Sequence, residues 1–260
     1  MILLLGGTSE AAPLSAALAA AGHTVLVSTA TEAPLELPGP PSVSRRYGRL
    51  DGAAMTALLR ECGARALVDA THPYAAEAHR HAQEAAHAAG IPCLRWLRAA
   101  TDLARFEDVI HASSHDQAAR MAFSLGRPVL LTIGSRNLTP YLREAVRTGL
   151  PVVARVLPLA ESLEACHRAG LPQARIIAAR GPFSVEANRK AIRDAGAGAL
   201  VTKDSGAEGG VPGKIEAANL EGCHVVLVRR PPAGVPDTFQ SVDLLLRALE
   251  RLLPSREPRR

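Results

Sequence analysis

The chain opens with Met1-Ile2-Leu3-Leu4-Leu5-Gly6-Gly7-Thr8-Ser9-Glu10, and this stretch decides the fold. The apolar run 2–5 predicts a short strand, and the two adjacent glycines then let the backbone approach a phosphate. Ser9 is placed to cap a helix that begins at Glu10. A strand, a glycine turn and a helix in this order predict a dinucleotide-binding loop. The loop does not have the usual pattern for such sites, G-x-G-x-x-G, because only the two adjacent glycines are present.

Short apolar runs alternate with Ala-rich stretches along most of the chain, which is the rhythm of βαβ units in a parallel sheet. In the first half, strands are predicted at 2–5, 24–28, 43–46, 66–69 and 93–96, with helices near 10–21, 51–62 and 74–89. In the second half, strands are predicted at 108–112, 129–132, 152–156, 175–178, 199–202 and 225–228, and a final helix near 239–253.

Two successive series of strands predict two Rossmann-like, doubly wound α/β domains with the active site in the cleft between them. We expect a dinucleotide-binding domain over 1–97 and a substrate-binding domain over 98–260, with the boundary somewhere in 97–105. The final helix could pack on either domain. The charged tail, 254–260, is predicted to be disordered.

Composition limits the classes of partner. The net charge of +5 comes from arginines spread along the chain, and aromatic residues make up only 3%, so small anionic ligands are expected and nucleic acid is not. No apolar run approaches the roughly 20 residues that span a bilayer, and no export leader is recognisable, so we expect a cytoplasmic protein without a membrane partner. Four scattered cysteines with no close pair predict neither a metal site nor disulfides.

The end of the second predicted strand indicates which dinucleotide binds. Ligands of open α/β sheets lie outside the carboxyl ends of the strands, and an NAD site usually places Asp or Glu there. This chain has Ser28 and Thr29 instead. Small hydroxyl residues leave room for a 2′-phosphate that Arg45, Arg46 or Arg49 can neutralise, so we predict NADPH. The alternative is that these arginines only line a solvated edge.

The turn after the fourth predicted strand reads Asp69-Ala70-Thr71-His72-Pro73-Tyr74 and is unusually rich in polar residues. Thr71 is predicted to cap the next helix, with Pro73 in its first turn. His72 is expected to face the cleft as a hydrogen-bond donor or proton carrier. Asp69 either serves the site or only bonds backbone amides. Three histidines of the next helix are expected on the surface: His79, His81 and His87.

Cations and small residues follow the strands of the second half. Ser135 and Arg136 follow one predicted strand, and Arg180 follows another. The segment Thr202-Lys203-Asp204-Ser205-Gly206, with Lys214 beyond it, is expected to be a flexible polar loop that cradles a charged ligand. Guanidinium groups beside such loops suit carboxylates. The alternative is that the lysine segment is a mobile connector.

Three runs of the sequence resemble the precorrin-6A reductase family, which includes the cobalt-precorrin-6A reductases. They are Leu-Leu-Gly-Gly-Thr-Ser-Glu-Ala at 4–11, Asp-Ala-Thr-His-Pro-Tyr-Ala at 69–75, and Thr-Lys-Asp-Ser-Gly at 202–206 with the trailing Gly-Gly and Lys214. The likeness extends from residue 1 to about 230. It implies that NADPH donates a hydride to a carbon–carbon double bond of a polycarboxylate, corrin-type macrocycle in cobalamin biosynthesis.

The resemblance also implies residue roles. Coenzyme contacts are expected from Gly6, Gly7, Thr8, Ser9, Glu10, Ser28, Thr29, Arg46, Asp69, Thr71 and His72. Substrate contacts are expected from Tyr74, Ser135, Arg136, Arg180, Lys203, Ser205 and Lys214. His72, Lys203, Asp204 or a bound water is expected to supply the proton that accompanies the hydride, and the sequence does not choose among them. Transfer of the macrocycle to or from neighbouring pathway enzymes is a further expectation.

Other functions remain open at this point. The sequence does not distinguish a cobalt-containing from a cobalt-free macrocycle. A short-chain dehydrogenase is disfavoured because no lysine has a tyrosine four residues before it. A tetrapyrrole methyltransferase, which also has two α/β lobes, would bind S-adenosylmethionine instead of NADPH. A non-catalytic, two-lobed binding protein would bind the macrocycle without consuming coenzyme.

Overall fold

A computed structural model describes residues 1–32, 34–37, 41–98, 106, 108–206, 209–230 and 237–253. The chain divides into two compact units, unit 1 with Met1–Ala99 and Pro232–Arg260, and unit 2 with Ala100–Pro231. Each unit contains one six-stranded, fully parallel sheet. This arrangement confirms the predicted doubly wound α/β class.

The elements are named in chain order. The N-terminal part of unit 1 contains β1 (Ile2–Leu5), α1 (Ala11–Ala20), β2 (Val25–Thr29), β3 (Val43–Tyr47), α2 (Gly52–Glu61), β4 (Ala66–Asp69), α3 (Ala76–Ala89) and β5 (Cys93–Trp96). Unit 2 contains β6 (Val109–Ala112), α4 (His115–Ser124), β7 (Val129–Leu131), α5 (Thr139–Thr148), β8 (Val152–Val156), α6 (Ala160–Arg168), β9 (Ile176–Ala178), α7 (Val185–Asp194), β10 (Ala199–Lys203), α8 (Val211–Leu220) and β11 (His224–Val228). The chain then returns to unit 1 as β12 (Thr238–Phe239) and α9 (Val242–Leu252).

The sheet of unit 1 has the strand order β12-β5-β4-β1-β2-β3. Its central strand β1 is buried on both faces, because Ile2 and Leu4 pack in one core with α1 and α9, and Leu3 and Leu5 pack in another with α2 and α3. Alternate side chains of a strand point to opposite faces, so one apolar run supplies both cores.

The sheet of unit 2 has the order β6-β11-β10-β7-β8-β9. Its core combines Leu130, Leu200 and Val225 of the central strands with apolar residues of α7 and α8. None of the described helices is both long and apolar enough to cross a bilayer.

The C-terminal segment differs from the sequence-based expectation. Residues 238–239 form the edge strand β12 paired with β5, where a continuous helix over 239–253 was expected, and α9 begins only at Val242. Leu245 and Leu249 of α9 are fully buried in the core of unit 1. The expected tail 254–260, and residues 99–105 of the expected domain boundary, lie outside the described residues.

Candidate functional site

Each sheet has a point where its winding reverses. In unit 1 the chain moves outward from β1 through β2 to β3 and then resumes on the other side of β1 with β4. In unit 2 it moves from β7 through β8 to β9 and resumes beside β7 with β10. Because successive connections leave in opposite directions there, a crevice opens outside the carboxyl ends of these strands. Most of the residues singled out from sequence follow strands at or beside these two points.

The glycine turn after β1 is shaped by close packing. A Cβ atom on Gly6 would lie 2.9 Å from the Cβ of Ala11, so any larger residue would push α1 away from the sheet. Gly7 has a φ of +114°, a conformation that side chains disfavour. Thr8 donates a hydrogen bond of 3.1 Å to the carbonyl oxygen of Ala70, which ties this turn to the one after β4.

The start of α1 corrects the expected cap. Glu10, not Ser9, occupies the N-cap position, and no described side chain caps the helix. The hydroxyl of Ser9 instead donates to Oε2 of Glu10 at 3.3 Å. The same carboxylate forms a buried ion pair with Arg98, while its Oε1 is buried without a hydrogen-bond partner among the described residues. The first-turn amides of α1 are therefore left without a capping side chain.

Two arginines converge on the end of β2. Nη1 of Arg46 donates to Oγ of Ser28 at 2.8 Å and to the carbonyl oxygen of Gly48 at 2.9 Å. Nη2 of Arg45 donates to Oγ1 of Thr29 at 3.1 Å. Both hydroxyl residues are buried and both arginines are half-buried. The guanidinium groups thus lie at the carboxyl edge of the sheet and are not extended into solvent.

The turn after β4 is organised by a buried hydrogen-bonded network. Asp69 accepts bonds at its Oδ1 from the backbone N–H of Thr71 at 3.0 Å and from its hydroxyl at 2.7 Å. Oδ2 of Asp69 lies 2.6 Å from Nδ1 of His79, and Nη2 of Arg95 lies 2.7 Å from the other ring nitrogen, Nε2. Since a guanidinium can only donate, Nε2 accepts and the imidazole is neutral, with its proton on Nδ1.

This network corrects three expectations. Thr71 does not cap α3, because its hydroxyl is used by Asp69 and the helix begins at Ala76, after an N-cap at Ala75, so that Pro73 precedes the helix. His79 is not on the surface, since only 9% of it is exposed, whereas His81 is half-buried and His87 is exposed. The signal in the sequence that was missed is the spacing of ten residues between Asp69 and His79. At that spacing, the first turn of α3 lies next to the end of β4.

The pKa of Asp69 follows from the same contacts. Burial alone would raise it, but the hydrogen bond from His79, together with the bonds from Thr71, outweighs burial and holds the pKa below its usual value. Asp69 is therefore an ionised anchor of the turn. His72, one residue past Thr71, accepts the backbone N–H of Tyr74 at Nδ1 over 3.3 Å, so a neutral ring carries its proton on Nε2.

The first residues after β10, 204–206, are buried, and Thr202 and Lys203, which were expected in the polar loop, belong to the strand itself. Asp204 is 8% exposed and Ser205 is 7% exposed. Nε of Arg230 donates to the backbone oxygen of Asp204 at 2.7 Å and lies 3.3 Å from its Oδ2. Arg230, which the sequence analysis did not select, thus gives Asp204 a fixed counter-charge within unit 2.

Two lysines of unit 2, Lys203 and Lys214, have a lowered pKa. Burial, and then the charge of Arg136, lower the pKa of Lys203 to about 8. Burial, and then the charges of Arg155 and Lys203, lower the pKa of Lys214 to about 8. His115, at the start of α4, has its pKa lowered to about 4 by burial and by Lys203, so it is neutral at pH 7. Lys203 and Lys214, with the neighbouring arginines and without His115, therefore form a cationic region in unit 2.

Arg155 is the main residue that the sequence analysis missed. It interrupts the apolar strand β8 and is 7% exposed, although it carries a charge. The missed signal is a single arginine inside the run Val152–Val156, since a charge in a buried strand needs a reason. Ser135 is half-buried, and Arg136 and Arg180 are exposed. Within the described residues, no three His, Cys, Asp or Glu side chains are grouped as metal ligands.

Comparison with known proteins gives a consistent result over the whole chain. The family model "Precorrin-6x reductase CbiJ/CobK" matches residues 1–250. A cobalt-precorrin-6A reductase of Priestia megaterium is 35% identical over 251 residues, which is 96% of this chain and 98% of that protein. A precorrin-6A reductase of Rhodococcus erythropolis is 32% identical over 93% of each chain. The solved structure "CobK precorrin-6A reductase" superposes with a TM-score of 0.75 at 26% identity, covering 96% of each chain.

Replacing His79 by alanine should destabilise unit 1 strongly. The substitution leaves the buried, ionised Asp69 and the half-buried Arg95 without the imidazole that bridges them, a change expected to cost about 3–5 kcal/mol. Urea-induced unfolding followed by circular dichroism measures it. His87→Ala, on the exposed face of the same helix, is the matched control and should change stability by less than about 0.5 kcal/mol. Equal effects of the two substitutions would contradict the network.

Proposed function

Because the chain belongs to the precorrin-6x reductase family CbiJ/CobK, we propose that it uses NADPH to reduce a carbon–carbon double bond of precorrin-6A, giving precorrin-6B in cobalamin biosynthesis. The coarser statement, that the chain is a reductase of this pathway which takes its hydride from a nicotinamide coenzyme, follows from the family. The observation that carries the choice of NADPH is the Arg46 guanidinium held on Ser28 at the end of β2.

Unit 1 fits a phosphorylated dinucleotide. The Gly6-Gly7 turn and the uncapped amino end of α1 offer backbone N–H groups to a diphosphate. No acidic residue stands at the end of β2 to repel a 2′-phosphate, and two guanidinium groups lie there instead. Thr8, Ser9, Glu10, Thr29, Thr71 and Asp69 complete the proposed coenzyme contacts, with Asp69 acting by holding the turn in place.

Unit 2 fits a polycarboxylate. We assign Ser135, Arg136, Arg180, Lys203, Ser205 and Lys214 to the substrate, together with Tyr74 of unit 1. Cations whose charge is partly desolvated attract carboxylates more strongly than cations in water do. Lys203 and Lys214 are half-buried, and burial is the first cause that lowers the pKa of each, so both are partly desolvated before any anion binds.

The chemistry consists of a hydride and a proton added across one double bond. When bound, NADPH supplies the hydride, and the protein contributes orientation and exclusion of water. The proton comes from a residue or a bound water. Lys203, whose pKa is about 8, is suited to donate near neutral pH. His72 could donate only as an imidazolium, in which Nδ1 no longer accepts the backbone N–H of Tyr74. Asp204 is held by Arg230, so we assign it a positioning role.

The proposed reaction is tested by anaerobic incubation of the purified protein with NADPH and precorrin-6A. Nicotinamide absorbance should fall in step with a shift of the macrocycle spectrum, one coenzyme per macrocycle. S-adenosylmethionine in place of NADPH is the control and should give no change. Loss of macrocycle absorbance with S-adenosylmethionine, or macrocycle binding without NADPH oxidation, would instead support a methyltransferase or a binding protein.

A second candidate substrate is cobalt-precorrin-6A. Three relatives bearing that name are 35%, 35% and 34% identical to the chain and three others are 30%, 28% and 27% identical, against 32% for two named precorrin-6A reductases. The same assay with the cobalt-containing macrocycle compares the two values of kcat/KM. We further propose that the enzyme works in the cytoplasm and exchanges its macrocycle with neighbouring pathway enzymes.

Replacing Arg46 by methionine should reduce the preference for NADPH over NADH. A charge-assisted hydrogen bond contributes about 1.5–3 kcal/mol, so the dissociation constant of NADPH should rise roughly 10- to 100-fold while that of NADH stays nearly constant. Fluorescence titration of both coenzymes measures this. Arg80→Met, an exposed arginine paired with Glu84, is the control. A parallel loss of both affinities would mean that Arg46 only supports the fold.

The substrate KM should depend on pH through the two desolvated lysines. Below pH 8 both lysines are charged in the free enzyme, and KM should be constant. Above pH 8 both lysines lose their protons, and each must be protonated again before a substrate carboxylate can bind to it. The logarithm of KM should therefore rise with a slope approaching about two per pH unit, and about one in Lys203→Met. Lys190→Met, an exposed lysine paired with Asp194, should keep the full slope. A KM that stays constant to pH 10 would exclude this role.

A further inference from the structure

A buried cation lies beneath the amino ends of two helices in unit 2. Arg155, near the end of β8, donates from Nη2 to Oδ1 of Asn188 at 2.8 Å, and its guanidinium carbon stacks 3.9 Å from the ring centre of Phe183. Asn188 is itself fixed, because its amide group donates to the backbone oxygens of Phe183 and Ser184. The side chain of Arg155 is therefore oriented before any ligand arrives.

The second cation is Lys214 in the first turn of α8. Its ammonium group donates to the backbone oxygen of Gly209 at 3.0 Å, and it lies close enough to Arg155 for that charge to depress its pKa. The amino ends of α7 and α8 flank the same place, with Ser184 and Gly210 as their N-caps. Helix amino ends carry partial positive charge, which adds to that of the two cations. Glu186 in the first turn of α7 is the acid of that helix end, and it pairs with Arg189 and Arg193.

No carboxylate balances these charges among the described residues. Neither Arg155 nor Lys214 forms an ion pair there, and the acids of α7 and α8 are mostly engaged elsewhere. Glu186 and Glu221 pair with Arg189 and Arg193, Asp194 pairs with Lys190, and Glu216 is exposed. Asp204 pairs with Arg230. A buried charge without a counter-charge is costly in free energy, so an anion is expected to bind beside these two cations.

We propose that Arg155 and Lys214 form a built receptor for one carboxylate side chain of the substrate, separate from the exposed arginines Arg136 and Arg180. This inference rests on the proposed function for the identity of the anion. Arg155 presents a planar fork whose position is fixed by Phe183 and Asn188, and such a fork matches the geometry of a carboxylate. The receptor fixes which edge of the macrocycle enters unit 2, so Arg155 is a specificity residue.

Small anions test the receptor without the macrocycle. The melting temperature of the full chain is measured with glutarate, tricarballylate or inorganic phosphate at constant ionic strength, with sodium chloride as reference. Di- and tricarboxylates should raise the melting temperature above the reference more than phosphate does. Preference for phosphate would overturn the carboxylate assignment, and a rise equal to that in chloride would overturn the site.

Substitutions of the two cations, compared with control substitutions elsewhere, locate the effect. Lys214→Met and Arg155→Met should abolish the stabilisation by carboxylates, and Lys190→Met and Arg143→Met, which alter exposed lysine and arginine residues of unit 2, should retain it. Lys214→Met should also keep or raise the melting temperature measured without ligand, because it removes a positive charge close to Arg155. If Lys214→Met lowers that melting temperature and carboxylates still stabilise the variant, the role of Lys214 is purely structural.

Arg155→Lys keeps the charge but not the planar guanidinium, and the variant should bind carboxylates more weakly than the original chain. Glu208→Gln, an acid outside the described residues, should not change carboxylate binding; if it strengthens binding, the counter-charge is internal and the proposal fails.

Kinetics then connect the receptor to the reaction. Lys214→Met and Arg155→Met should raise the KM for the macrocycle at least tenfold and leave the dissociation constant of NADPH unchanged. An unchanged macrocycle KM in both variants would overturn the receptor even if the enzyme is an active reductase. Conversely, loss of carboxylate binding in variants of a chain that never oxidises NADPH would retain the receptor and reject the proposed function.

Discussion

The reversal of winding between two central strands is the constraint on which both units depend. A parallel sheet must cover each face with helices, and at β1 and β4, as at β7 and β10, successive connections leave toward opposite faces. The backbone between those strand ends cannot close over the edge. Turns rich in glycine and short polar residues therefore lie there, and the amino ends of the following helices face the opening. Both candidate ligand regions are consequences of that topology.

The two units satisfy their charges in different ways. In unit 1, Asp69 and Arg95 are joined through a neutral histidine, and Glu10 is paired with Arg98, so the buried charges are balanced within the protein. In unit 2, Arg155 and Lys214 have no such partner among the described residues. A balanced network stiffens a turn that must hold its shape, whereas an unbalanced one keeps binding free energy for an incoming anion. Under the proposed function, unit 1 would therefore hold a preformed coenzyme region and unit 2 a substrate region that gains stability on binding.

Much of this could be predicted from the sequence because strands buried on both faces leave plain apolar runs. β1, β4, β5 and β8 begin and end where the pattern placed them. The two-residue strand β12 could not be found this way, because its place is set by pairing with β5 and not by its own composition. His79 and Arg155 were missed for a related reason. Their roles come from contacts with residues 10 and 33 positions away, and no local periodicity encodes such contacts.

The return of the chain to unit 1 has a consequence for biosynthesis. Unit 2 is one continuous segment, while the sheet of unit 1 receives its last strand, and its core receives Leu245 and Leu249, only from the C-terminal residues. During translation all strands of unit 2 are made before β12 and α9, so the sheet and core of unit 1 are completed only after those of unit 2. A chain that stops before β12 would have a complete sheet in unit 2, whereas unit 1 would lack an edge strand and the part of its core that Leu245 and Leu249 fill. Proteases that remove unfinished chains would therefore find their first cleavage sites in unit 1.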